Sequence, residues 1–260
     1  MIELFYADTP NGKKISIMLE EIQYPYKVTL VNLKKGDQFN PKFRSISPFS
    51  KIPVITDHEN NISIFESGAI LIYLAEKSGK FYDKNNRISI NQWLIGQVAY
   101  VGPLLGQHHQ FHHYTPGKSK WGEDRYFKIA KTIYKDLDER LEKSKFLAGN
   151  EYTIADIATF PWIARHPIHD IGLKNFNHLS RWYKDISERK AILNTLDSKF
   201  WASGAGSGRT SPLGTYDTAP DGHVCATAFN ASVSILSGNI HCPSTPDKNT
   251  SGAPKTQNRA

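Results

Sequence analysis

A proline just before a strand-like run is the sequence feature that most constrains this chain. Pro53 precedes the apolar residues Val54 and Ile55. A cis bond before this proline would leave the main-chain N–H and C=O of Ile52 unpaired and facing outward. The segment therefore predicts an exposed main-chain edge that can bond the backbone of a bound peptide.

An acidic residue and a serine then stand at the start of an apolar helical pattern over residues 67–78. Glu66 brings a carboxylate, Ser67 brings a hydroxyl, and a helix start adds free backbone N–H groups. This combination suits a ligand that carries both an ammonium and a carboxylate. Together with the edge at Ile52, it indicates a small peptide with an amino-acid-like end.

Another helix start follows the first strand pattern, which covers residues 2–6. Thr9 is predicted as the N-cap residue, with Pro10 at the first helical position. The Thr9 hydroxyl and the amides after it concentrate positive potential at one point. A thiol placed there would ionise more easily.

The periods of apolar residues predict two domains of different class. Residues 1–78 have the order βαβαββα, an α/β thioredoxin-like plan, and a polar linker over 79–87 follows. Residues 88–200 predict an all-α C-terminal domain, with helices over 88–114, 120–144, 154–165 and 178–189.

The segment 201–260 differs in composition from everything before it. Ser, Thr, Gly, Ala and Pro dominate it, and it has no sustained helical or strand period. Both cysteines of the chain, Cys225 and Cys242, lie in this segment. We therefore predict a low-complexity tail, either disordered or not native to the fold.

Charge and hydropathy exclude two classes of partner. The net charge of +7 comes from lysines that alternate with acids along the helices, which predicts a solvated surface rather than a nucleic-acid site. No apolar run reaches the roughly 18 residues of a membrane span. The chain opens on a strand pattern instead of a signal region, so we expect a cytoplasmic protein.

The segments 9–13, 36–39, 46–48, 51–53 and 66–70 together resemble the glutathione transferases. Their sequences are similar to those of the bacterial nu class, the glutathione-dependent disulfide-bond oxidoreductases, and of a related yeast nitrogen-regulator prion. The resemblance covers roughly residues 1–200. It implies the glutathione transferase fold, glutathione as cosubstrate and a homodimer.

The resemblance also implies the contacts of glutathione. The γ-glutamyl end would lie on Glu66 and Ser67, the cysteinyl main chain on Ile52, and the thiolate on Thr9 and Asn11. The remaining expected contacts, to the glycyl carboxylate or the main chain, are Gln38, Lys51 and Pro53. Thr9 and Asn11 would be the catalytic residues.

A thioredoxin-like fold carries a Cys-x-x-Cys pair at the first strand-to-helix junction, where this chain has Thr9 and Gly12. Redox chemistry must then use the sulfur of glutathione. We expect a glutathione-dependent disulfide-bond reductase with peroxidase activity, acting on small disulfides or hydroperoxides. A glutathione-conjugating transferase and a non-catalytic glutathione-binding regulator stay open as alternatives.

Three further residues are candidates for a second-substrate cleft. Tyr6 ends a strand near the predicted thiolate, although its alternation with Leu4 favours a core or cleft-wall role. His109 and His112 lie on a helix that lines the cleft in the family. The i, i+4 histidine pairs of this helix have a metal-binding spacing, but no cysteine or acid completes a site, so no metal is predicted.

The motif that starts at Thr153 is a capping box with Asp156 as its acidic partner. In transferases the same arrangement opens a buried helix. We therefore expect a structural role for Asp156.

Overall fold

The structure, a computed structural model, describes residues 1–197. The predicted tail over 201–260, with Cys225 and Cys242, lies outside the described residues.

A mixed sheet of four strands forms the centre of the first domain. The strands are β1 (Ile2–Tyr6), β2 (Tyr26–Leu30), β3 (Val54–Asp57) and β4 (Ile62–Phe65), in the spatial order β2-β1-β3-β4. β1 pairs parallel with β2 and antiparallel with β3, and β3 pairs antiparallel with β4. Alternate residues of β1 are buried, as a strand with one face in the core requires.

Three α-helices connect and cover these strands: α1 (Pro10–Ile22), α2 (Pro41–Arg44) and α3 (Ser67–Ser78). Two short 3₁₀ helices, Leu33–Lys35 and Asp37–Phe39, precede α2. The order βαβαββα and the α/β class predicted from the sequence are confirmed.

The second half of the described chain is helical. Its α-helices are α4 (Arg87–Gly96), α5 (Gly102–His108), α6 (Lys120–Glu142), α7 (Ile154–Ile163), α8 (Asn177–Ser187) and α9 (Lys190–Asp197). The helix predicted over 88–114 contains two π-helical segments, Gln97–Val101 after α4 and His109–Tyr114 after α5. Such widened turns rotate the faces that follow them, and they are frequent at functional sites. None of the helices in residues 1–197 has the length and apolar character needed to span a membrane.

Helix α7 is the buried centre of this helical part, and all of its residues are buried. The predicted capping box opens it: the Asp156 carboxylate accepts hydrogen bonds from the Thr153 N–H at 3.0 Å and the Leu147 N–H at 2.9 Å. The indole N–H of Trp182 also donates to Asp156, at 2.9 Å. With its N-terminus fixed in this way, α7 packs against α1, α3 and α4.

Candidate active site

A cavity of about 270 Å³ lies where α1, the segment before β3, the start of α3, the π-helical segment after α4, and the helices α5 and α7 meet. All predicted glutathione contacts except Gln38 line it: Thr9, Asn11, Lys51, Ile52, Pro53, Glu66 and Ser67. The structure thus brings together residues that are far apart in the sequence.

Thr9 caps α1 as the sequence predicts. Its Oγ1 accepts a hydrogen bond from the Gly12 N–H at 3.1 Å, and Pro10 occupies the first turn. A hydroxyl has one proton and two lone pairs, and the cap uses a lone pair. The Thr9 proton is therefore available for donation to an acceptor in the cavity.

Asn11 is oriented by a hydrogen bond from helix α7. Its Oδ1 accepts a hydrogen bond from the indole N–H of Trp162, at 3.2 Å. Because the oxygen of the amide is occupied by this bond, the NH₂ group is the end that can donate elsewhere. Sequence reasoning did not single out Trp162, since only the packing of α7 brings it to α1.

The main chain at Ile52 has the predicted form. The Ile52–Pro53 bond is cis, and the ladder between β1 and β3 starts at Val54. Within residues 1–197 the N–H and C=O of Ile52 have no hydrogen-bond partner. Ser47 holds the turn before it, because its hydroxyl accepts from the Lys51 N–H at 3.0 Å and donates to the Lys51 C=O at 2.7 Å.

Glu66 has a strained backbone, with φ of 70° in the region that favours glycine. Such strain persists only where surrounding structure enforces it, and it is concentrated at ligand sites. The Glu66 carboxylate makes no capping bond to α3, and the residue is exposed. The adjacent Ser67 is buried at the first position of α3.

Lys14 is a cavity residue that sequence reasoning missed. Its ammonium donates to Gln97 Oε1 at 2.6 Å and to Ser67 Oγ at 3.2 Å. Burial lowers the pKa of Lys14 to about 7, and the nearby Glu66 carboxylate opposes this shift. The signal was present, since Lys14 lies four residues before the buried Met18 and so on the apolar face of α1.

Two predicted residues of the first domain lie outside the cavity lining. Gln38 is buried, and its Nε2 is 3.5 Å from the Leu33 carbonyl oxygen. Tyr6 is also buried, and its ring packs so closely on Gly12 that a Cβ there would be 3.0 Å from it. Burial raises the pKa of Tyr6 well above its usual range. The structure therefore places Tyr6 in the core, outside the cavity lining.

The two predicted histidines are also outside the residues that line the cavity. His109 is fully buried, with its ring stacked on His169 at a centroid distance of 4.5 Å, and burial lowers its pKa well below the usual value. His112 is half-buried, with Nε2 at 3.7 Å from an Asp170 oxygen. The described residues contain no cluster of His, Cys, Asp and Glu that would hold a metal ion.

Comparison with protein families identifies both halves of the chain. Residues 9–77 match the glutathione S-transferase N-terminal domain, and residues 110–190 match the glutathione S-transferase C-terminal domain. Disulfide-bond oxidoreductase YfcG of Escherichia coli K12 is 43% identical over 203 residues, which span 75% of this chain and 94% of YfcG.

Solved structures agree with this result. A glutathione transferase from Burkholderia graminis, with two glutathione molecules bound per subunit, is 36% identical with a TM-score of 0.71, covering 76% of this chain and 88% of its own. A Pseudomonas putida glutathione transferase with glutathione disulfide bound is 37% identical with a TM-score of 0.71, covering 76% and 91%. By sequence and by fold, this chain belongs to the glutathione S-transferase family.

Proposed function

We propose that this protein is a glutathione-dependent disulfide-bond oxidoreductase that uses the thiolate of bound glutathione. The observation that carries the proposal is the pair of available donors, the Thr9 hydroxyl and the Asn11 amide, at the start of α1 in a cavity without a cysteine. The relative YfcG, which is named a disulfide-bond oxidoreductase, supports it.

Glutathione fits the polarity of the cavity from one end to the other. Its γ-glutamyl ammonium pairs with Glu66, and the adjacent carboxylate accepts from Ser67 and from the free N–H groups of α3. The cysteinyl main chain bonds to the unpartnered main chain of Ile52. The glycyl carboxylate lies near Lys51, so the sulfur comes to Thr9 and Asn11.

The reaction consumes two glutathione molecules. The first thiolate attacks one sulfur of a disulfide RS–SR′, forming a GS–SR bond while R′S⁻ leaves and takes a proton from solvent. The thiolate of a second glutathione then attacks the glutathione sulfur of GS–SR. Glutathione disulfide forms, and RS⁻ leaves to be protonated. The two glutathiones are oxidised and the disulfide is reduced to two thiols.

The same thiolate supports a peroxidase reaction. Its attack on a hydroperoxide ROOH breaks the O–O bond, giving the sulfenic acid GSOH and, after protonation, the alcohol ROH. A second glutathione condenses with GSOH to form glutathione disulfide and water. Both reactions need glutathione as the thiol, which fits a reducing cytoplasm as the location.

An activity panel tests the proposed function. The full chain is assayed with glutathione and, in turn, with hydroxyethyl disulfide, an organic hydroperoxide and an aryl halide. We expect the highest kcat/KM for the disulfide, with measurable hydroperoxide turnover. A higher value for the aryl halide would identify a conjugating transferase, and glutathione binding without any turnover would identify a regulator.

We also propose that the protein is a homodimer. Ile88 and Ile95 are 78% and 61% exposed, and their spacing of seven residues places them on one face of α4. Exposed apolar side chains on one helix face are typical of an interaction surface. A monomer mass in light scattering at micromolar concentration would contradict this proposal.

The domain boundaries are proposed as the sequence predicts them, with 1–78 and 88–200 as domains and 79–87 as the linker. Support comes from the element order, because the last helix of the α/β part, α3, ends at Ser78 and α4 begins at Arg87.

A further inference from the structure

Lys14 is a buried cation without a buried counter-charge. The residue is 1% exposed, and both hydrogen-bond acceptors of its ammonium, in Gln97 and Ser67, are uncharged. No carboxylate of residues 1–197 forms an ion pair with it. Burying a charge without a partner costs free energy. A buried and unpaired ammonium therefore favours the binding of an anion beside it.

The contact with Lys14 fixes what Ser67 can do. An ammonium only donates, so it occupies a lone pair of the Ser67 oxygen and leaves the hydroxyl proton free. Ser67 is also the first residue of α3, where backbone N–H groups have no partner within the helix. Toward the cavity, Ser67 and the start of α3 therefore offer only hydrogen-bond donors, and the positive charge of Lys14 lies next to them.

Gln97 reaches Lys14 from the helical half of the chain. Its Oε1 accepts from the ammonium at 2.6 Å, which fixes the orientation of the amide. Its Nε2 is buried and has no partner among residues 1–197. Gly102 makes room for this group, since a Cβ there would lie 3.0 Å from Nε2. The two halves of the chain are thus joined at Lys14.

We propose that Lys14, held by Gln97, is a positioning residue that supplies the counter-charge for a carboxylate bound at Ser67. The inference rests on the proposed function, because this carboxylate is the α-carboxylate of the γ-glutamyl group. Lys14 acts through its hydrogen bond to Ser67 and through its electric field.

The electrostatics of the cavity give this role a pH dependence. Burial lowers the pKa of Lys14 to about 7, Glu66 is the charged group that acts on it, and Lys51 is the other charged group of the lining. A bound carboxylate favours the ammonium, so binding is coupled to proton uptake. The affinity that Lys14 contributes is present below about pH 7 and is lost as the pH rises.

A pair of ligands tests the assignment by calorimetry. S-methylglutathione contains the α-carboxylate, and its γ-aminobutyryl analogue lacks only that group. Lys14→Met keeps an unbranched side chain as far as the Cε atom and removes the ammonium group, with its charge and both of its hydrogen bonds. We expect this variant to bind S-methylglutathione about tenfold more weakly and to bind the analogue with an affinity within about twofold of the wild type. Proton uptake on binding should be abolished. The disulfide kcat at saturating glutathione should stay within about twofold, as for a ground-state contact.

A second variant keeps the test decisive if Lys14→Met fails to fold. Gln97→Glu retains the shape and the acceptor but supplies Lys14 with a counter-charge, so the same selective loss of S-methylglutathione affinity is expected. The matched control is Lys128→Met, on the exposed face of α6, which should bind both ligands normally.

The outcomes separate this inference from the proposed function. Equal losses for both ligands, or no loss in either variant, would overturn the role of Lys14 while wild-type binding and turnover remain. Absence of S-methylglutathione binding to the wild-type protein would overturn both.

Discussion

The indole N–H of Trp162 donates to the Oδ1 atom of Asn11 at 3.2 Å, across 151 positions of the sequence. This bond links the start of α1 to α7, the helix that the Asp156 capping box fixes at its N-terminus. The orientation of the Asn11 amide thus depends on the packing of a buried helix in the other half of the chain.

The donors to the thiolate are tested by Thr9→Ala and Asn11→Ala. Each should lower kcat/KM for disulfide reduction. The expected loss corresponds to about 1 to 3 kcal/mol of transition-state stabilisation, as is usual for a hydrogen bond to a charged group. Glutathione affinity should change less. Thr132→Ala, on the exposed face of α6, is the matched control. Full turnover in the double variant would show that the thiolate lies elsewhere.

Trp162→Phe tests whether the indole acts through Asn11. The variant keeps an aromatic ring but removes the N–H, so the amide can rotate and present its oxygen to the thiolate. We expect a loss of kcat in steady-state disulfide reduction. In a double-mutant cycle with Asn11→Ala, the two losses should not add, because both variants remove one interaction. Additive losses would mean that Trp162 contributes by packing alone.

Much of this site was predictable because its signals are local. The cap at Thr9 and the box at Asp156 each involve residues three positions apart, and the proline at position 53 acts on its own neighbour. Such motifs satisfy backbone groups within one turn, so their structure follows from the sequence. The strand and helix order followed in the same way from the spacing of apolar residues.

The residues that sequence reasoning missed depend on tertiary packing. Lys14 and Trp162 lie on the apolar faces of α1 and α7. Only the packing of α1 against α3, α7 and the segment after α4 shows what their polar ends bond. His109 and His112 are outside the residues that line the cavity, and the helical spacing alone does not show this. His109 lies in the core, at the first position of the π-helical segment that follows α5.

Glu66→Gln tests how the ligand is held. The substitution keeps the size of the side chain and removes the partner of the γ-glutamyl ammonium. We expect the KM for glutathione to rise about tenfold or more while kcat changes little, because this contact exists before and during the reaction. Glu76→Gln, on α3, serves as the matched control. An unchanged KM would place the ammonium elsewhere.

Buried histidines should make the fold sensitive to acid. Burial lowers the pKa values of His108, His109 and His169 below the ordinary histidine value of about 6.5. The unfolded chain therefore binds more protons below about pH 6.5, and the free energy of unfolding should fall as the pH drops from there. Above that pH these histidines are neutral in both states, so they do not make the free energy of unfolding depend on pH.

Urea unfolding between pH 7.5 and 5.5 measures this slope, which has an upper limit of about 1.4 kcal/mol per pH unit for each histidine. His169→Gln should reduce the slope even though it also removes the bond to the Tyr134 hydroxyl. Thr132→Ala, which changes no titratable group at an exposed position, should leave the slope unchanged. Equal slopes in all three proteins would show that the buried histidines do not control acid stability.

The positions of the cysteines lead to the last prediction. Residues 1–200 contain none, so a mechanism based on glutathione sulfur should survive the loss of every protein thiol. The double variant Cys225→Ser and Cys242→Ser should therefore reduce disulfides at a rate within about twofold of the parent, as is usual for changes outside packed or catalytic sites. A truncation after Phe200 should do the same. If the double variant folds normally yet loses disulfide turnover, one of these thiols is the nucleophile, and the donors at Thr9 and Asn11 do not mark the reaction centre.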